Sequence, residues 1–405
     1  MNACAKVTTV ENQDQIVTET HGQSPSENVG QHGDQSRRRT KIYSGQDIPE
    51  AVITAWESFR AQNPKLYSPY FHPDYTRAVS RLRDDVKIAV LEEGDEILAL
   101  LPYQGHSFAR PVGAPMTDYH GLIGGADYLY DLKDILNDTP VGAYHFSALI
   151  GDIADTGDEA QAGAVMRLPE GSQAWRDSRD SSFNKHQKSL RRRIRKVSEE
   201  VGTPHFVSQS ESEEAFNALI EWKVAQYEAT GYYNVLGAGW TLDLLKSLWQ
   251  KGAQSDLRVD MHCLYFGDEL VAIDTGLTDG KTYHSWIVAY NLDFHTYSPG
   301  TQLLNQIIDA SDDLGYNRID LGVGLDRFKT HYTTETLNTL SGFVAVSGPA
   351  ANLSKLYDAA EKLGQKHLSD APGRLRRRYS QIAACETSLS GRAKAMLSAV
   401  TSKKS

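Results

Sequence analysis

The sequence has little cysteine. Cys4, Cys263 and Cys385 are far apart and odd in number. They provide neither a disulfide framework nor a metal box, so no metal is expected and a reducing cytoplasm is the simplest compartment. Long apolar runs are missing too. None approaches the roughly 18 residues that suggest a membrane span. The N-terminus has no apolar stretch of the secretory kind. Positive charge is in overall deficit, with a formal net charge of −10. General nucleic-acid binding is therefore disfavoured and no DNA partner is expected. The deficit is uneven. Residues 1–36 hold one cation and five acids, a net of −4, whereas residues 371–405 hold eight cations and one acid, a net of +7.

What is present reads as a soluble globular chain of 405 residues, 40% apolar and 23% charged, long enough for two or three domains. Residues 1–40 are polar and low in apolar content, and are expected to be disordered. A first domain spans 41–175. Its clearest device is a hairpin, Val86 to Glu92 and Ile97 to Tyr103, turning at Glu93-Gly94-Asp95-Glu96. The loop PVGAPMTDYHGLIGG, residues 111–125, carries Asp118, Tyr119 and His120 together, so it is a candidate ligand wall. A second domain spans 176–348. The region 349–405, a helix from Ala350 to His367 and a basic segment expected to be solvated, closes the chain.

The second domain opens on a helix, Ser181 to Gly202, whose charge is of one sign. Seven cations fall among the twelve residues from Lys185 to Lys196, and no acid appears from Ser181 to Ser198. That pattern makes Arg191, Arg192 and Arg195 candidate anion binders, with Phe183, Leu190, Ile194 and Val197 available for a buried side. Two helices follow, then three strands, Val259 to Phe266, Leu270 to Leu277 and Thr282 to Tyr290. Gly94 to Leu100 and Gly267 to Ile273 repeat the same turn-and-strand pattern, which suggests two halves built on one hairpin-centred fold.

Tyr297 to Tyr332 is the segment around which the chemistry gathers. Ser298 and Pro299 suit a helix start, and Gly300 allows close approach. Leu303, Leu304, Ile307 and Ile308 recur at helical spacing, and Gly315 ends the helix. A strand to Leu321 runs into Gly322 and Gly324. The unpaired first N–H groups of such a helix suit an anion, so Tyr297, Ser298, Gly300 and Thr301 are candidate phosphate holders.

The basic helix SSFNKHQKSLRRRIRKV, the helix EWKVAQYEATG, the segment Tyr297 to Lys329 and the TDYHG motif at 117–121 together resemble the GNAT acyltransferases. More narrowly they resemble the BioF2-like or CelD-like group, which is related to FemAB peptidyltransferases. The resemblance covers about residues 42–347. It implies an α+β fold of two tandem GNAT-like halves, with mixed, mainly antiparallel central sheets flanked by helices. The Gly-rich pyrophosphate loop common in GNAT enzymes is replaced here by Tyr297-Ser298-Pro299-Gly300-Thr301. The group implies transfer from acetyl-CoA or another acyl-CoA to an amino sugar of an exopolysaccharide or lipid-linked precursor. An aminoacyl-tRNA donor and a nucleotide-binding regulatory role are the alternatives.

Direct acyl transfer needs a proton acceptor, a thiolate protonation and an oxyanion site. Asp320 and His284 are the candidate bases, with Asp118 or His120 across the cleft as the alternative. Lys329 and Tyr332 are candidates to neutralise charge or protonate the leaving group. Trp222, Lys223 and Gln226 share a helical turn and are placed with Asp118, Tyr119 and His120 as acceptor-binding residues. Cys263 lacks a paired His and is excluded as a nucleophile. The basic C-terminal segment is a candidate for an anionic membrane surface, which would make the protein peripheral at the inner face, or for a cyclic dinucleotide.

Overall fold

The computed structural model describes residues 38–126, 131–151, 157–368, 379, 381–386 and 391–392. Most of the 1–40 segment therefore lies outside the described residues. So do the arginines at 374 and 376–378. Where the two meet, expectation and structure differ: Arg39 and Thr40 are not disordered but open a strand.

The first half supplies β1 (Arg39–Ser44), α1 (Glu50–Gln62), α2 (Pro73–Ser80), β2 (Val86–Glu93), β3 (Glu96–Gly105), β4 (Phe108–Pro111), β5 (Ile123–Gly124), α3 (Leu132–Leu136) and β6 (Ala143–Leu149). After β7 (Gly157–Arg167) come α4 (Gly171–Asp177), α5 (Ser181–Glu200), β8 (Pro204–Val207), α6 (Glu213–Thr230) and α7 (Trp240–Trp249). The chain then forms β9 (Arg258–Phe266), β10 (Glu269–Thr278), β11 (Thr282–Tyr290), α8 (Pro299–Leu314), β12 (Arg318–Val323), β13 (Glu335–Ala345) and α9 (Gly348–Leu368).

The strands join in one sheet rather than two separate ones, in the order β1-β2-β3-β4-β6-β13-β7-β12-β11-β10-β9-β8, with β5 on β3. The seam is an exchange. β13, late in the chain, lies between β6 and β7, and β7 pairs with β12. Only β4–β6 and β11–β12 are parallel among these pairs.

The repeated sequence occupies equivalent places in the β2–β3 and β9–β10 hairpins. Gly94 and Gly267 sit at the two turns with φ of 62° and 59°, the left-handed region that glycine enters without cost. Each hairpin also shifts register just past its turn.

Helices cover both faces. On one, α1, α2, α6 and α7 share a single core that runs across both halves and includes Trp56, Tyr75, Phe216 and Leu248. Trp56 is fully buried, and its indole N–H donates to the Phe71 carbonyl at 2.7 Å. On the other face, Trp175, Phe183, Ile307 and Tyr332 bring α4, α5 and α8 together. Each such side chain contributes about 2–3 kcal/mol by leaving water.

The C-terminal segment departs from the solvated reading. Residues 381–385 are helical, and Ile382 is 0% exposed. The Trp240 indole donates to the Cys385 carbonyl at 3.2 Å, and Arg83 lies over the Trp240 ring while donating to the Ala384 carbonyl. The short apolar run Ile382–Cys385 inside a basic segment finds room on the core, and burial outweighs its charged surroundings.

Candidate active site

β11 and β12 pair at only three positions, ending with His284 opposite Asp320. Beyond them β12 bends at Gly322, whose φ is 74°. A Cβ there would come within 2.8 Å of the Asp118 carboxylate, so the glycine is what lets the first-half loop close on the strand.

The result is a carboxylate–imidazole–carboxylate row. His284 Nε2 lies 2.9 Å from Asp118 Oδ2, and His284 Nδ1 lies 3.6 Å from Asp320 Oδ1. His284 and Asp320 are fully buried, whereas the Asp118 side chain is 42% exposed. Asp118 is thus the end of the row that meets solvent. Asp320 also accepts from the Tyr67 hydroxyl at 2.9 Å, the Tyr119 hydroxyl at 3.0 Å and the Gly322 N–H at 2.8 Å. Tyr67, Asp118 and Tyr119 come from the first half, and His284 and Asp320 from the second.

The electrostatics follow. Burial pushes the His284 imidazolium down, but Asp320 and Asp118 together outweigh it and hold the group up to about 9. Burial raises Asp320, and the imidazolium with its hydrogen-bond donors overcomes that, leaving it below the usual carboxylate range. Burial, then the neighbouring Asp320, pushes the Tyr67 and Tyr119 hydroxyls far up, so both remain donors. Lys329 donates to the Val323 carbonyl at 3.3 Å, and burial makes its ammonium more acidic than usual despite Asp326, Asp118 and Asp320 nearby.

Past His284, the edge of β11 that β12 would cover is no longer paired to it. This edge runs to Tyr290, and Gly300 at the start of α8 packs beside that ring. The first helical hydrogen bond of α8 is the Gln302 N–H to the Ser298 carbonyl, so the N–H groups of Gly300 and Thr301 precede it. Ser298 holds the N-cap position but its side chain makes no capping hydrogen bond; it adopts a left-handed conformation and its hydroxyl takes the Arg193 guanidinium. Lys196 lies over the Tyr297 ring, whose hydroxyl donates to Glu200. A helix start with an arginine over it suits a pyrophosphate.

Residues 184–330 match the family model of the acetyltransferase (GNAT) domain. The fold is GNAT-like, and this segment is an acyltransferase domain. It holds His284, Ser298, Asp320 and Lys329 but not Tyr67, Asp118 or Tyr119. A search of curated proteins finds no match. Among solved structures, FemX is 9% identical, with 78% of this chain and 99% of that one covered at a TM-score of 0.47. A tandem GNAT protein from the clavulanic acid biosynthesis pathway is 9% identical over 77% and 99%, at 0.46. The C-terminal domain of a putative lysylphosphatidylglycerol synthetase from Agrobacterium fabrum is 13% identical over 76% and 96%, at 0.42.

Several residues expected in the GNAT site stand elsewhere. Tyr332 is fully buried, and its hydroxyl meets Asn305, His186 and Gln187 at 2.8, 3.1 and 3.4 Å. It packs on Trp175 and Phe183, so it ties α5 to α8 and is no part of the carboxylate row. His120 is not a solvent-facing base. Burial pushes it down to about 3, and it lines a small cavity with Tyr70, Tyr75 and Thr117. The arginine at the α8 start is Arg193, whose guanidinium reaches the Ser298 hydroxyl; Arg191, Arg192 and Arg195, exposed like it, make no hydrogen bond there among the described residues. Lys223 donates to the Val288 carbonyl at 3.2 Å, Trp222 packs against the core and Gln226 is exposed; none of the three contacts the row. Cys263 is buried, and burial pushes its thiol up to about 11, which suits a packing residue. Sequence reasoning missed Tyr67 altogether.

Proposed function

We propose that this protein transfers an acyl group, acetyl in the simplest case, from coenzyme A to an amino sugar of a polysaccharide precursor. The single observation that carries this is the buried His284 clamped between Asp118 and Asp320 where β11 and β12 stop pairing. The donor's pyrophosphate lies on the Gly300 and Thr301 N–H groups with Arg193 beside it. Its thioester lies along the unpaired edge of β11, whose N–H groups polarise the carbonyl.

The acceptor nitrogen attacks that carbonyl carbon and becomes strongly acidic as the new bond forms. Asp118, the exposed carboxylate, then takes its proton. His284 donates to Asp118 and fixes its orientation, and Asp320, held by two tyrosines, anchors His284. A carboxylate suits an amine, which sheds its proton after attack, better than a hydroxyl, which must lose it earlier. The C–S bond breaks as the intermediate collapses, and Lys329, with its acidified ammonium, returns a proton to the thiolate.

Calorimetric titration with acetyl-CoA tests the donor. Binding is expected, and Gly300→Asp is expected to weaken it at least about 10-fold by placing a negative charge at the helix start. The substitution has room, since a Cβ at Gly300 meets only the Tyr290 ring at 3.7 Å. Heat with aminoacyl-tRNA and none with acetyl-CoA would overturn the donor assignment.

A further inference from the structure

α5 has two faces of different character. Phe183, Leu190 and Val197 are buried, and Arg193 reaches Ser298 from the flank. On the opposite face, Lys185, Lys188, Arg192 and Arg195 follow at i, i+3, i+7 and i+10. They form one row along the helix, about 15 Å long at the usual rise per residue. Arg191 stands beside it. All five are exposed, and none makes a hydrogen bond or ion pair among the described residues. The first acids of the helix, Glu199 and Glu200, come only after the row ends, and Glu200 is engaged by Lys196 and Tyr297.

A solvated helix face ordinarily mixes charge signs, and a row of one sign repels itself. The row is not needed for the donor, whose arginine is on the other flank. We propose that it docks the protein on an anionic lipid surface. A 20-residue helix presents these long side chains along one line, which fits a flat sheet of headgroups. α5 carries no Trp or Tyr and its one Phe is buried, so the row lacks the rings on which bases stack. The net charge of −10 opposes a polyanion that surrounds the molecule, but not a surface met by one face within a Debye length. The proposal goes beyond acyl transfer, and its test needs neither donor nor acceptor.

The full-length protein is to be sedimented with phosphatidylcholine vesicles, with or without about a third phosphatidylglycerol, at about 0.1 M salt. Binding to the anionic vesicles alone is expected. Replacing Lys185, Lys188, Arg191, Arg192 and Arg195 by Gln is expected to lower partition on the order of 100-fold. An unchanged thermal midpoint would confirm that this variant folds, since the five side chains support nothing. A second variant, with Arg374, Arg376, Arg377 and Arg378 replaced by Gln, is expected to keep binding. The proposal is overturned by equal binding of the first variant and the wild type, by loss confined to the second variant, or by no preference for anionic vesicles. Retention of a homopolymeric RNA through the same five cations, with no vesicle binding, would overturn it in favour of nucleic acid.

Discussion

His284 shows how one side chain couples stability to the site. Its folded pKa near 9 lies above the ~6.5 of an unfolded histidine, so folding favours the charged ring. The contribution is fully present below about pH 6.5 and is lost as pH rises through about 9. Denaturant unfolding at about pH 6 and pH 9.5 should show the wild type losing about 3 kcal/mol. His284→Gln should lose far less over the same range. Parallel losses in both proteins would contradict the clamp. Asp118, His284 and Asp320 were legible as candidates because titratable groups in Gly-rich loops and at strand ends are few. Tyr67 was not, since it lies 253 residues from Asp320 in a segment without periodicity. Only folding brings its hydroxyl there.

At the scale of elements, spacing is informative about which face is buried and silent about what lies against it. Leu303, Leu304, Ile307 and Ile308 were legible as the inner face of α8, and Phe183, Leu190 and Val197 as that of α5. Which arginine of a run reaches Ser298 depends on how α5 lies against the start of α8, and neighbouring residues of one helix point 100° apart. Tyr332 shows the same limit. It follows a Gly-rich turn and a lysine, which read as a cleft, yet Trp175 on the short helix α4 supplies a stacking partner 6.3 Å away. The twin hairpins are the opposite case. Their turn residues were unambiguous, and even the register shift beside the turn recurs.

The whole molecule depends on contacts that no local pattern announces. β13 and β7 cross between halves, so the boundary near residue 175 separates strands that belong to one sheet. The return of residues 381–386 to α7 and Arg83 is of the same kind. Ile382→Ala should cost about 2–4 kcal/mol, read as a lower midpoint in denaturant, because it empties a fully buried site. A change below about 0.5 kcal/mol, as for an exposed position, would show that the segment is not part of the core. The two halves are proposed to make one proton-transfer site for acyl transfer together. Release of free thiol from acetyl-CoA, with glucosamine and its oligosaccharides as acceptors, tests it most directly in wild type and Asp118→Asn. Acceptor-dependent release is expected, reduced about 100-fold or more by the substitution with acetyl-CoA binding unchanged. Equal release by both proteins would contradict it.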